Sequence, residues 1–120
     1  MSPWYAALRS IESKGSTVEP GGLAGLAEAR RQHQGQFWTP EPVVRLMWRV
    51  AGLLDADRPV SILDNSFGCG RMFWPAVPGR HRLVGIESDP EVAAQVQAAA
   101  LAAGFEALLE CGSMVDYRCK

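Results

Sequence analysis

The sequence is short of cysteine, of excess charge and of long apolar runs, and each shortage removes a class of function. Its three cysteines, Cys69, Cys111 and Cys119, stand far apart with no Cys-x-x-Cys pair. An odd count at that spacing gives neither a zinc site nor a disulfide framework, so reduced thiols and a cytoplasmic location are expected. The two histidines, His33 and His81, are isolated, and no metal set is expected. Twelve Lys and Arg against thirteen Asp and Glu leave a net charge of −1, so no bulk field points to nucleic acid or an anionic membrane. No apolar stretch approaches the roughly 18 residues of a membrane span. The N-terminus, MSPWYAALRSIESKG, has neither the basic start nor the apolar core of a signal peptide. With 120 residues, 48% of them hydrophobic, a small globular domain with a modest core is expected rather than disorder.

What is present is organised around VSILDNSFGCG, residues 60–70. A short apolar run ends in Asp64, and a turn through Gly68, Cys69 and Gly70 follows. Strand, acid, glycine turn and helix is the layout of a nucleotide-type site at the carboxyl end of a parallel strand.

Upstream, residues 3–13 place Trp4, Ala7, Leu8 and Ile11 on one helical face, with Gly15 as the stop. SKGSTVEPGG reads as a loop. Leu23–Gln34 reads as a second helix whose end carries Arg30, Arg31 and His33, cations that suit a helix C-terminus and can also touch a phosphate backbone. Residues 1–34 are thus an N-terminal helical segment, and residues 35–120 a second unit. In GQFWTPEPVV, Thr39 reads as the N-cap and Pro40 as the first residue of a helix in which Val43, Val44, Met47, Val50, Ala51 and Leu54 recur at helical spacing. Pro42 then falls third in the helix and has no N–H to be capped.

Downstream, Pro75 and Pro78 keep the segment after Gly70 short or kinked. A second strand covers Leu83–Ile86 and ends at Glu87. Asp89 as cap, Pro90 first and Gly104 as stop define a helix, and Ala107–Cys111 reads as a third strand. Alternation of strands and helices implies an α/β fold with a parallel sheet and right-handed crossovers. Trp4, Trp48 and Trp74 are expected in the core or at an interface, and Cys69 as loop filling rather than a nucleophile.

The ligand follows from the acids. Glu87 lies 23 residues after Asp64, close to the roughly 20-residue offset of a carboxylate that holds ribose hydroxyls. A dinucleotide fits less well. The third glycine of its fingerprint would fall at Phe73, and Asp64 puts negative charge beside the loop. An acid there suits an ammonium, and a ligand with an ammonium at one end and an adenosine at the other is S-adenosylmethionine.

GQFWTPEPVVRLM, ILDNSFGCGRMFW and VGIESDP together resemble the N-6 adenine DNA methyltransferases of restriction-modification type, including the type I modification subunit, over about residues 30–115. The resemblance implies a partial Rossmann-like fold of about three parallel strands with flanking helices, helices lying on both faces of the sheet. It implies an S-adenosylmethionine site in which Trp38 and Thr39 border the methionine part and Asp64 takes the ammonium. Phe67, Gly68 and Gly70 would form the loop, Glu87 would hold the ribose, Ser88 would lie beside the adenine, and Ser113 and Met114 would flank its ring. Asn65 stands where the family has Pro, Cys69 in a slot often filled by Ser, and Ser113 where an Asp often contacts the adenine amino group.

The family's catalytic signature, Asn or Asp followed by Pro, Pro and an aromatic, has no match here, and WPAVP at 74–78 is not one. The expectation is therefore the cofactor half of a DNA methyltransferase with no catalytic residues of its own, inactive alone. DNA would be contacted through regions outside this chain, and the open sheet edge would be covered by a second copy, by a partner chain or by the N-terminal helices. The alternatives are a truncated or degenerate module that binds S-adenosylmethionine or a partner protein without catalysis, and a methyltransferase acting on a small molecule or RNA.

Overall fold

The computed structural model describes residues 3–15 and 39–113. Trp38, Met114, Cys119 and the stretch Leu23–Gln34, with Arg30, Arg31 and His33, lie outside the described residues. Three strands, β1 (Val60–Asp64), β2 (His81–Glu87) and β3 (Ala107–Cys111), pair in parallel in the order β1-β2-β3. The fold is α/β, an open parallel sheet with helices against it, consistent with a partial Rossmann-like architecture.

Helix α1 (Pro3–Gly15) comes first, α2 (Glu41–Val50) precedes β1, and α3 (Pro90–Ala102) joins β2 to β3. Asp89 starts α3 by accepting from the N–H groups of Glu91 and Val92 at 3.0 and 3.3 Å. Pro75 and Pro78 reduce the β1–β2 crossover to one 3-10 turn, Arg71–Phe73, because neither can donate to a continuing helix.

Helix α2 begins one residue later than its sequence suggests. Pro40, not Thr39, is the cap residue, with no side-chain capping bond, and its carbonyl accepts from Val43 and Val44 at 3.0 and 3.1 Å. The shift moves Pro42 to the second helical position, where an N–H would have no helical acceptor in any case. Its buried stripe is also narrower than the apolar spacing suggests. Val44 and Trp48 face inward, while Val43, Met47 and Val50 are exposed.

The core lies on one side of the sheet. Leu83 and Leu109 meet Ala93, Val96 and Ala100 of α3 and Trp4 and Leu8 of α1 in a single cluster. All three tryptophans foreseen as core or interface residues are buried. Trp4 donates through its indole N–H to the Phe73 carbonyl at 2.9 Å, and Trp48 to Met72 at 2.7 Å, so each ties a helix to the 3-10 turn. Buried His81 accepts from the Val77 N–H at Nδ1, which leaves Nε2 to donate to Leu53, both at 2.9 Å.

Helices on both faces were expected; among the described residues they pack on one. Leu63, Val84 and Leu108 are in register across the other face, and Leu63 and Leu108 are 65% and 52% exposed. The two sheet edges also differ. The outer edge of β3 is closed by Gln97, whose side chain donates to the Ala107 carbonyl at 3.2 Å and accepts from the Leu109 N–H at 3.0 Å. At β1, Val60 donates to Arg80, so Val60, Ile62 and Asp64 address β2 while Ser61 and Leu63 point their N–H and C=O groups outward. Among the described residues no strand pairs there.

Candidate cofactor site

The carboxyl ends of β1 and β2 bring Asp64, the glycine turn, Glu87 and Ser88 together. Phe67 donates its N–H to the Ile86 carbonyl at 3.2 Å, which pulls the chain back over β2 as it leaves β1. Gly70 N–H to Phe67 at 2.8 Å then closes the turn, with φ of +53° at Gly68 and +84° at Gly70. These angles are strained for any residue with a Cβ.

The two glycines do different work. Among the described residues nothing lies within 4 Å of where a Gly68 side chain would start, so they leave this part of the backbone open to a ligand. A Cβ on Gly70 would lie 2.9 Å from Leu8 Cδ2 and 3.5 Å from Val96 Cγ1, so Gly70 allows α1 and α3 to close on the turn. Phe67 is likewise packed inward, 6.1 Å from Phe73 between ring centroids. Gly85 makes room for it, since a Cβ there would meet Phe67 Cδ1 at 2.9 Å and also the Asp64 carbonyl.

Glu87 is only 4% exposed. Its Oε1 accepts from the Gly68 N–H at 3.1 Å, and its Oε2 accepts from the Asp89 N–H at 2.8 Å and from the Ser88 hydroxyl at 3.4 Å. The acid and the glycine turn are therefore one hydrogen-bonded unit. Asp64 accepts from the Ser66 N–H at 3.0 Å, an Asx-turn that starts the loop. Burial raises the Asp64 carboxyl above its ordinary value, the Ser66 amide opposes this, and the charge of Glu87 adds to the rise. Two carboxylates that repel across one loop suit a ligand bringing positive charge and hydroxyl donors.

Ser88 is exposed, and its carbonyl accepts from the Cys111 thiol at 3.7 Å. Gly112 N–H donates to the Glu87 carbonyl at 2.9 Å, so exposed Ser113 follows directly from the end of β3 beside β2. Thr39 is half-buried, and its carbonyl accepts from Arg71 Nη1 at 2.9 Å. Burial first, then the charges of Glu12 and Glu87, push the Cys69 thiol up to about 11, which keeps it protonated at neutral pH and unsuited to nucleophilic attack. A separate cavity of about 530 Å³ runs along the open side of β1, lined among others by Met47, Trp48, Leu53, Ile62, Leu63 and Met72. Among the described residues it meets the loop at Asp64 and Asn65.

A family model described as N-6 DNA methylase matches residues 21–80. The chain belongs to the N-6 DNA methylase family. The match spans half of the chain, takes in Trp38, Thr39, Asp64, Phe67, Gly68 and Gly70, and stops before Glu87. No curated protein and no solved structure shows a significant match. As an N-6 DNA methylase family member the chain is a DNA methyltransferase-like module, and members of this family generally use S-adenosylmethionine.

The residues present fit that cofactor: an open backbone at Gly68, a carboxylate already aligned with it at Glu87, and a second, partly desolvated carboxylate at Asp64. Sequence reasoning missed Glu12 and Arg71, whose side chains pair beneath the turn. The signal was there, because Glu12 follows Trp4 and Leu8 at four-residue spacing and so sits on a buried helix face, where an acid needs a cation.

Proposed function

We propose that these residues form the S-adenosylmethionine-binding portion of an adenine-N6 DNA methyltransferase acting in the cytoplasm in restriction-modification. The observation that carries this reading is the bond from the Gly68 N–H to Glu87, which makes the loop and the acid one surface at the carboxyl end of a parallel sheet. When bound, the cofactor supplies an activated methyl group on a sulfonium. Toward it, Glu87 accepts from ribose hydroxyls through lone pairs its two backbone donors leave free. Asp64 faces the ammonium, whose charge relieves the repulsion from Glu87. Ser88 and Ser113 border the adenine at the ends of β2 and β3, and Thr39 borders the methionine part, with Trp38 and Met114 assigned by the resemblance alone.

The methyl-transfer step and the DNA contacts are assigned to polypeptide outside these residues, and the same partner polypeptide covers β1. The contrast between the edges supports this: Gln97 closes β3, while among the described residues no strand pairs with the outward-facing Ser61 and Leu63 of β1. A purely parallel sheet is covered on both faces. Light scattering after size-exclusion chromatography tests the occupant. A monomer that binds DNA only with a partner supports the reading, and a concentration-independent homodimer replaces the partner with a second copy.

Isothermal titration with S-adenosylmethionine tests the site. Binding is expected, weakened at least tenfold by Glu87→Ala. Gly68→Ala, which adds a methyl where no described residue lies within 4 Å, is expected to weaken binding as well. Absence of binding to the wild type, or binding indifferent to both variants while the fold persists, refutes the assignment.

A further inference from the structure

Arg71 follows the glycine turn directly, and its side chain reaches two distant parts of the chain. Nε donates to Glu12 Oε2 at 3.0 Å, and Nη2 donates to Glu12 Oε1, a two-pronged pair with a carboxylate on α1. The remaining arm, Nη1, donates to the Thr39 carbonyl at 2.9 Å. The guanidinium lies 4.7 Å from the centroid of the Trp74 ring. Glu12 is buried, with Arg9 at 3.5 Å on its outer side, and the Arg71 side chain is 17% exposed.

A buried ion pair is a poor device for stability, because desolvation offsets much of its attraction and apolar residues of similar volume serve as well or better. An apolar pair cannot, however, hold a carbonyl oxygen at a fixed place. Thr39 stands two residues before α2, where no side-chain cap holds the helix start. The planar fork of arginine suits this task, since two prongs fix its plane on Glu12 and the third then points in one direction.

We propose that Arg71, oriented by Glu12, is a positioning residue that registers Thr39 and the start of α2 against the glycine turn. The two parts of the site assigned above are thereby held as one surface. The ligand side of this proposal rests on the S-adenosylmethionine reading; the structural side does not.

The test uses the full chain, with Glu12→Met/Arg71→Met as the main variant and Arg71→Lys as the second. The double variant replaces the pair by flexible apolar side chains and is expected to melt at or above the wild-type temperature. Arg71→Lys keeps a charge for Glu12 but cannot serve both partners. In both variants, amide exchange at Val43 and Val44, which donate to Pro40, is expected to quicken about tenfold, the scale of one lost charge-assisted hydrogen bond, while Ala93 and Ala100 in α3 hold their rates. The dissociation constant for S-adenosylmethionine is expected to rise by about the same factor. Unchanged exchange at Val43 and Val44, or a parallel rise at all four amides with a lower melting temperature, overturns the proposal. If the wild type does not bind S-adenosylmethionine, the cofactor reading fails and the exchange rates still decide the clamp. If the wild type binds and both variants bind as tightly, positioning of the cofactor site by Arg71 is refuted.

Discussion

Replacing Glu87 by Gln separates the shape of this side chain from its charge, and the structure sets the size of the effect. Each carboxylate oxygen accepts one backbone N–H, from Gly68 on one side and from Asp89 on the other. Glutamine offers a single oxygen. Whichever way the amide turns, its NH2 group confronts one of these donors. A hydrogen bond to a charged acceptor is lost, worth about 1.5–3 kcal/mol, and its half-buried donor loses that partner. Removing a buried charge returns part of that through desolvation. The side-chain volume is unchanged, so no cavity adds to the cost. The net expectation is a loss of about 2 kcal/mol, which for a chain of this size lowers the melting temperature by roughly 8 °C. Calorimetry or circular dichroism melts measure it, with Ser88→Ala as the control. The Ser88 hydroxyl makes only a long contact of 3.4 Å, so that variant should stay within about 0.5 kcal/mol of wild type. Repeating the melts with S-adenosylmethionine at a hundredfold its dissociation constant adds about 2.7 kcal/mol to the wild type. Glu87→Gln is expected to gain less at the same concentration. A Glu87→Gln melting temperature within 2 °C of wild type would refute the bracing role.

Two further outcomes follow from the same loop. The Asp64 carboxyl is raised above its ordinary value of 3.8, chiefly by burial, so the folded state holds the proton more tightly than the unfolded chain. Stability is then full at acid pH and falls as pH rises from the unfolded value through the raised one. Asp64→Asn keeps an oxygen for the Ser66 amide, so at neutral pH it is expected to melt above wild type, with the gap closing below about pH 4; parallel pH curves would refute this. Gly68→Ala and Gly70→Ala share a backbone penalty of about 1–2 kcal/mol at positive φ. Only Gly70→Ala also presses on buried Leu8, adding roughly 1–3 kcal/mol. Urea unfolding should place Gly70→Ala clearly below Gly68→Ala, and equal midpoints would contradict the division of labour between the two glycines.

The features legible in the sequence are those governed by local chemistry. The α3 cap at Asp89, the strand ends at Asp64 and Glu87, and the breaks at Pro75 and Pro78 each follow from neighbours a few residues away, and the structure shows them. The start of α2 was misplaced by one residue because two cap positions satisfy the same Thr-Pro-Glu-Pro run. The choice between them rests on where the missing N–H of Pro42 does least harm. The buried stripe of α2 was overcounted because apolar spacing cannot separate a core face from one left open, and Val43, Met47 and Val50 belong to the second kind. Cover for the second sheet face, expected from helices on both faces, lies outside the described residues if it comes from Leu23–Gln34. The register sets Leu63, Val84 and Leu108 in one row on that face, and Leu63 and Leu108 are exposed among the described residues.

The glycine motif shows the same limit more sharply. Read as a pattern, Gly68 and Gly70 are two equal demands for a backbone that a ligand can approach. In space they are opposed: Gly68 faces outward with no described residue within 4 Å of its would-be side chain, while Gly70 faces inward against two helices. A third glycine, Gly85, lies outside the motif yet serves the same loop by admitting the Phe67 ring beneath the Asp64 carbonyl. Such demands come from residues distant in sequence, Leu8 and Val96 for Gly70 and Asp64 and Phe67 for Gly85. No spacing rule within the motif can express them. Arg71 and Glu12 follow the same logic, 59 residues apart and joined through the turn. The loop is therefore shaped from below by the core and from the side by Glu87. That is why the residues that hold the loop in form emerge from the contacts and not from the sequence pattern.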